Sequence, residues 1–180
     1  MRIIAGTAKG HTIQAPKGLD TRPTLDRVRE SVFNVLAHRG LYGKRVLDLF
    51  SGTGAVAIEA LSRGAAEALC VDVRTEKCIQ ANAIHCKVDD RLQVLPCKLA
   101  SLGPRLKGQS FDLIFSDPPY QKGYIEATIQ LVVDYDLLAK DGFLLLEHHK
   151  DEAIHLPDGW EVIKEQKFGY TMVTYCQQIA

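Results

Sequence analysis

The feature that most constrains this chain is a strand-like run that breaks into a glycine turn and then a helical stretch. Residues 44–50, Lys-Arg-Val-Leu-Asp-Leu-Phe, run straight into Ser51-Gly52-Thr53-Gly54, and residues 55–63 follow with helical composition. A short apolar run of this kind reads as a buried parallel strand. The glycines let the backbone turn sharply and approach a ligand closely, as in nucleotide-cofactor cradles. The pattern repeats along the chain. Strands are predicted over 68–71, 92–95 and 111–116, with a helix over 75–85 that Thr75 caps and that buries Ile79, Ala83 and Ile84. Alternation of this kind predicts an α/β fold with a doubly wound, mostly parallel sheet. In the strand order 3-2-1-4 the first and fourth strands are neighbours and flank the ligand crevice.

The fourth strand ends in Asp117-Pro118-Pro119-Tyr120. Two successive prolines fix φ and remove two N–H donors, so the backbone there offers only carbonyls, rigidly held. A planar base with an exocyclic amine can use every part of this stretch. Tyr120 stacks on the ring, while the Asp117 carboxylate and the Pro118 carbonyl accept the two N–H bonds. The amine lone pair is then aimed at an electrophile. The plainer alternative is a strand that stops at an Asp-Pro turn with Asp117 as a helix cap. The expected position of the tetrapeptide beside the glycine turn favours the clamp.

Two acids identify the cofactor class. Asp48 precedes the turn, where a carboxylate repels a pyrophosphate but can help to hold the cationic methionine end of a sulfonium cofactor. Asp72 follows the second strand, where an acid can bind ribose hydroxyls. The candidate cofactor-binding set is Asp48, Phe50, Ser51, Gly52, Thr53, Gly54, Asp72 and Val73, and the cofactor expected is S-adenosyl-L-methionine. A nicotinamide dinucleotide would use Asp72 as readily, so Asp48 carries the distinction. An NAD-dependent dehydrogenase also gives no account of Pro118-Pro119.

Charge is unevenly distributed in a chain of zero net charge. Residues 1–45 carry +6 and the remainder −6. A basic front end fits a polyanionic partner, although an ordinary solvated basic segment gives the same count. Residues 1–18 read as a short hairpin around Gly6 and Gly10, and Thr24 as the N-cap of a helix ending at Gly40. The apolar stripe of that helix is Leu25, Val28, Val32, Val35 and Leu36. Arg2, Lys9, Arg22, Arg27 and Arg29 are the candidate nucleic-acid contacts, with Arg27 and Arg29 lying off the stripe. Downstream, a helix is predicted over 125–138 and a strand over 142–147. Residues 160–166 and 170–177 should form two antiparallel edge strands, with Trp160, Phe168 and Tyr170 in the core or lining a cleft.

Other classes of function are disfavoured. No apolar run approaches a membrane span, and the first residues are too short and interrupted for a signal peptide, so a cytoplasmic protein is expected. The five cysteines have no Cys-x-x-Cys spacing and read as buried reduced thiols. His148 and His149 are adjacent and point to opposite faces of a strand, which suits a shared metal poorly. No metal is expected.

In order along the chain, Arg2-Ile3-Ile4-Ala5-Gly6, Thr21-Arg22-Pro23-Thr24 with Arg27 to Asn34, residues 47–54 with Glu59-Ala60-Leu61-Ser62-Arg63-Gly64-Ala65, and residues 117–120 resemble the bacterial 16S rRNA guanine-N2 methyltransferase family. The likeness spans essentially the whole chain. It implies a Rossmann-like methyltransferase domain over 41–180 behind an RNA-contacting extension over 1–40. It also implies methyl transfer to a guanine amine of 16S rRNA within the small ribosomal subunit; a monomer is expected, although no residue fixes the oligomeric state. Thr53 stands where the family usually has Ser, and Cys97-Lys98 where relatives often place an adenine-binding acid. Protein-glutamine enzymes of this chemistry generally carry Asn where Asp117 stands. Methylation of adenine or cytosine amines, or a catalytically silent cofactor-binding module, are the competing readings.

Overall fold

The computed structural model describes residues 1–18 and 23–180, the side chains of 23–25 apart. The chain packs as two compact units, Met1–Pro96 and Cys97–Ala180.

The first unit opens on a hairpin reduced to a single antiparallel bridge, Arg2 with Thr12. Its apolar residues Ile3, Ala8 and Ile13 are buried. Helix α1 (Pro23–Ala37) follows. It starts at Pro23 rather than at a Thr24 cap, because proline suits the first helical position, where the missing N–H has no partner to lose. Val28, Val32 and Leu36 are buried as their spacing predicts, with Phe33 added to the stripe. Then come β1 (Arg45–Leu49), α2 (Ala55–Ser62), β2 (Glu67–Val71), α3 (Glu76–His85) and β3 (Leu92–Leu95). Strand β2 lies between β1 and β3, all parallel, with Asp48 beside Cys70 and Cys70 beside Val94. Ile79 and Ala83 of α3 are buried, but Ile84 is exposed. Asn82 takes its place inside, bonding the backbone of Gln14 and Thr53.

The N-terminal segment is tied to α2 by buried polar groups. Glu59, wholly buried, accepts the Ile4 N–H at 2.8 Å. Ser62 accepts the Ala8 N–H at 2.9 Å and donates to the Ala5 carbonyl at 2.6 Å. A methyl built on Gly6 would lie 1.8 Å from the Ser62 carbonyl oxygen, so only glycine lets this segment lie so close to the helix.

The second unit contains α4 (Leu99–Leu106), β4 (Phe111–Ser116), α5 (Tyr124–Asp134), β5 (Leu138–His149), β6 (Trp160–Phe168) and β7 (Thr171–Gln178). Helix α4 is absent from the sequence reading, since Gly103 and Pro104 both argue against a helix interior. Gly103 is there for packing: a methyl on it would meet the Tyr135 ring at 2.1 Å. Strand β4 pairs in parallel with β5, β5 antiparallel with β7, and β7 antiparallel with β6. The two C-terminal strands are therefore not both edges; β7 is interior, and its Val173 to Cys176 are buried. Strand β5 begins before Gly142, through a bulge at which Asp141 takes φ +63°. Tyr170, expected in the core or a cleft, is 71% exposed at the β6–β7 turn. Among the described residues no helix is long and apolar enough to cross a membrane.

Candidate active site

The cradle in the first unit is built mainly from backbone. Phe50, Gly52 and Gly54 take φ of +57°, +57° and +80°, so the chain leaving β1 turns through three left-handed residues before α2 starts. Left-handed backbone is costly for a residue with a Cβ, so Phe50 is held there by its surroundings. Ser51 holds the turn to both strands: its Oγ donates to the Asp48 carbonyl at 2.5 Å and accepts the Val71 N–H at 3.0 Å. Thr53 Oγ1 accepts the Ala55 N–H at 3.2 Å across Gly54, which is the N-cap of α2. Asp72 accepts the Gly52 N–H at 3.0 Å and the Arg74 N–H at 2.9 Å, one on each oxygen. A carboxylate has about four acceptor sites, so this leaves two for ribose hydroxyls.

These residues fit a sulfonium nucleoside. A methyl on Gly52 would meet nothing within 4 Å, so the turn leaves open space on that side. Val73 is 52% exposed beside Asp72, an apolar surface of the kind an adenine ring covers. Asp48 is buried at the end of β1, on the strand that feeds the turn.

The clamp in the second unit is built from side chains. Asp117 follows the last residue of β4 and is half-buried; Pro118 is buried and Pro119 exposed. Burial pushes the Asp117 carboxyl up to about 7. The Tyr120 hydroxyl is hydrogen-bonded to Thr171 Oγ1 at 2.7 Å, and its ring meets His149 edge to face at 5.7 Å. His149 in turn stacks on Tyr170, with centroids 6.0 Å apart and planes within 8°. Glu152 ties the loop after the clamp to the end of β5, accepting the Gln121 and His149 N–H groups, each at 2.8 Å. The two adjacent histidines do separate. His148 is buried and donates from Nδ1 to the His149 carbonyl at 2.9 Å, so its Nε2 accepts from the Thr174 hydroxyl at 2.8 Å.

Sequence reasoning missed Glu147. It is 4% exposed near the end of β5, and burial first, then the Asp117 charge, push its carboxyl well above the usual carboxylate range. The signal was available: Glu147 closes the apolar run of β5 as Asp117 closes that of β4. Thr171, His149 and Glu152, which hold the clamp, have no such signature.

The basic candidates divide. Arg2, Lys9 and Arg27 are exposed. Arg22 lies outside the described residues. Arg29, expected to be available to phosphates, is instead buried at 6% exposure. It donates to the Arg2 carbonyl and pairs with Asp26 at 3.5 Å. Burial lowers its affinity for its proton, opposed by the nearby Glu59 and Asp26 charges. It joins α1 to the N-terminal segment, a structural role.

An α/β core with parallel strands, helices and antiparallel C-terminal strands defines a Rossmann-like methyltransferase fold. The solved structure titled "Putative methyltransferase yhhF" of Escherichia coli matches it with a TM-score of 0.87 and 31% identity, over 100% of this chain and 98% of that one. The chain belongs to the family described as Conserved hypothetical protein 95, whose model matches residues 1–177. It is 39% identical to "Putative rRNA methyltransferase YlbH" of Bacillus subtilis over 165 residues, 88% of this chain and 86% of that protein. It is 32% identical to Ribosomal RNA small subunit methyltransferase D of Escherichia coli K12 over 172 residues, 94% of this chain and 85% of that protein.

Proposed function

We propose that the protein transfers a methyl group from S-adenosyl-L-methionine to the exocyclic N2 amine of a guanine in 16S rRNA of the small ribosomal subunit. It acts as a cytoplasmic monomer. The observation that carries this reading is the clamp: a half-buried carboxyl, a rigid proline carbonyl and an anchored tyrosine in four successive residues. The relatives named for small-subunit rRNA methylation support the substrate class. Asp48, the 50–54 turn, Asp72 and Val73 hold the cofactor, which supplies an electrophilic methyl on a cationic sulfur.

The target guanine leaves its stack, at a cost of a few kcal/mol, and lies on Tyr120. The Asp117 carboxylate and the Pro118 carbonyl accept the two N2 hydrogens and direct the nitrogen lone pair along the methyl–sulfur axis. A bound S-adenosyl-L-methionine would give its methyl to this nitrogen, its sulfur leaving as a thioether with the S–C electron pair. The methylated amine is then cationic and sheds a proton to Asp117, whose raised proton affinity suits the task. Most of the acceleration is positioning. Residues 1–40 form the RNA-contacting extension, in which Arg2, Lys9, Arg22 and Arg27 meet phosphates.

The test is transfer from labelled cofactor, offered in parallel to unmodified small subunits, naked 16S rRNA, DNA and a protein extract, with the product digested to nucleosides. N2-methylguanosine from subunits or from 16S rRNA is the expected product. Label in adenosine, cytidine or protein overturns the substrate while keeping the chemistry. Cofactor binding without label anywhere leaves a silent module.

A further inference from the structure

Strands β6 and β7 are joined by a two-residue turn, Gly169-Tyr170, with Phe168 and Thr171 paired across it. Gly169 takes φ +63° and Tyr170 has no positive φ, an arrangement in which only the first turn residue needs to be glycine. The turn therefore asks nothing of the side chain at 170, and a polar residue would serve it. An aromatic stands there instead, 71% exposed. The Tyr170 carbonyl accepts the Lys150 N–H at 2.8 Å, which fixes the turn to the end of β5. The Tyr170 ring lies parallel to that of His149, with centroids 6.0 Å apart, and His149 meets the Tyr120 ring at 5.7 Å. Parallel rings at that separation overlap only in part, so most of the Tyr170 ring stays in water. Lys150 is also exposed, and its Nζ stands 5.6 Å from the Tyr170 centroid.

A single exposed apolar side chain needs no explanation by itself. This one continues a row of rings that starts in the clamp, is held by a backbone bond, and has a cation beside it. Methyl transfer as outlined above uses only Tyr120, the first ring of the row. Single-stranded nucleic acid has a use for the last: bases stack on aromatic faces whatever their sequence, and a cation beside the ring meets the phosphate. The acids nearby are otherwise engaged. Glu152 accepts two backbone N–H groups, and Asp151 stands 3.5 Å from His149 Nδ1. A guanine drawn out of its stack onto Tyr120 also leaves its neighbour without a stacking partner. Resting on the rRNA reading above, we propose that Tyr170 and Lys150 form a platform for the nucleotide next to the target. Tyr170 stacks on its base and Lys150 pairs with its phosphate.

The test measures transfer to unmodified small subunits, and to subunits reconstituted with 16S rRNA made abasic immediately 5′ or 3′ of the mapped target guanine. Tyr170→Ala is expected to raise KM for intact subunits about 5- to 100-fold, the range for loss of one base–aromatic stack. Its kcat, cofactor affinity and melting midpoint should change little. Tyr170→Phe should keep the wild-type KM and Tyr170→Leu should not, because the ring is used and not its hydroxyl or its bulk. Lys150→Gln should raise KM and weaken its dependence on salt by about one phosphate contact. One of the two abasic substrates should cost the wild-type protein as much as Tyr170→Ala does, and cost that variant nothing more. Additive losses on both abasic substrates would overturn the proposal and leave a ribosomal protein as the partner of this surface. An unchanged KM in Tyr170→Ala would also overturn it. No methylated guanosine from intact subunits with the wild-type protein would remove the parent reading itself, a result distinct from either of these.

Discussion

The proposed cofactor cradle and the proposed amine clamp are built from different materials. In the cradle, the shape is carried by left-handed backbone at Phe50, Gly52 and Gly54 and by N–H groups held on Ser51 and Asp72. Most of its side chains serve the turn itself. In the clamp, the backbone contributes a proline carbonyl, and the chemistry rests on Asp117, Tyr120 and their supports Thr171, His149 and Glu152. A cradle of backbone tolerates polar substitution but not a new Cβ. A clamp of side chains tolerates the reverse. The sharpest break should therefore come from one side-chain deletion in the clamp. Asp117→Ala is expected to lower transfer by about 10³-fold or more, in the range seen when a transition-state partner is lost. Cofactor affinity, measured by isothermal titration, should change by less than about twofold. A comparable loss of cofactor affinity would mean that the carboxyl belongs to the cradle.

The cradle should break through backbone in two separable ways. A methyl on Gly54 would lie 2.9 Å from Ile79 Cγ2, at φ +80°, so Gly54→Ala strains both the turn and the α2–α3 packing. About 2–3 kcal/mol of stability should be lost in denaturant titration, as for overpacking combined with left-handed strain. A methyl on Gly52 meets no atom within 4 Å, so Gly52→Ala carries only the left-handed penalty, about 1 kcal/mol. Its main effect should be on cofactor affinity, because the proposed function gives that open space to the ligand. Equal losses of stability in the two variants would remove the distinction between packing glycine and ligand glycine.

The same contrast explains what was legible in the sequence. The strands β1 to β4 were readable because each is a short apolar run ending in a turn or an acid, a pattern that depends on neighbours in sequence alone. The glycine turn and the end of β4 at the two prolines were readable for the same reason. What was missed depends on contacts across the fold. Arg29 lies off the apolar stripe of α1, yet it is buried because the N-terminal segment covers that face, with the Arg2 carbonyl as its acceptor. Gly103 stands inside helix α4 because Tyr135 occupies the space a side chain would need. Ile84 is outside and Asn82 inside because residues 14 and 53 offer backbone groups that only an amide can join. Glu147 stood in plain view but gains meaning only once β5 is placed beside β4.

The clamp's charge makes it sensitive to pH where the cradle is not. The Asp117 carboxyl, raised to about 7 by burial, must be ionised to accept amine hydrogens. Transfer at low substrate should rise about tenfold per pH unit below about 7 and level off above it, while cofactor affinity stays nearly flat over the same range. Glu147 is held well above the usual carboxylate range by its own burial and by the Asp117 charge, so it keeps its proton while Asp117 titrates, and Glu147→Gln should leave the midpoint near 7. A midpoint near 4 in the wild-type protein would show the carboxyl to be solvated.

The smallest effect is on stability, and its sign is the informative part. Below about pH 4 the folded and unfolded chains both hold the Asp117 proton, and the group adds nothing pH-dependent. Between there and about 7 the unfolded chain releases the proton while the folded chain retains it, so stability falls as pH rises. Above about 7 the folded chain carries the charge, and the loss is complete. Asp117→Asn keeps the shape and removes the charge. At pH 8 it should therefore be more stable than the wild type. With allowance for the partial exposure of Asp117, the gain is about 1 kcal/mol, a rise of about 2–4 °C in melting midpoint. Near pH 4 the two proteins should melt together. A clamp that gains stability when its central acid is neutralised is one whose geometry is maintained for chemistry at the expense of folding. The cradle should show the opposite, since each of its glycine changes loses stability. If Asp117→Asn melts below the wild type at pH 8, the carboxylate is instead a structural acceptor, and the clamp is held by the same logic as the cradle.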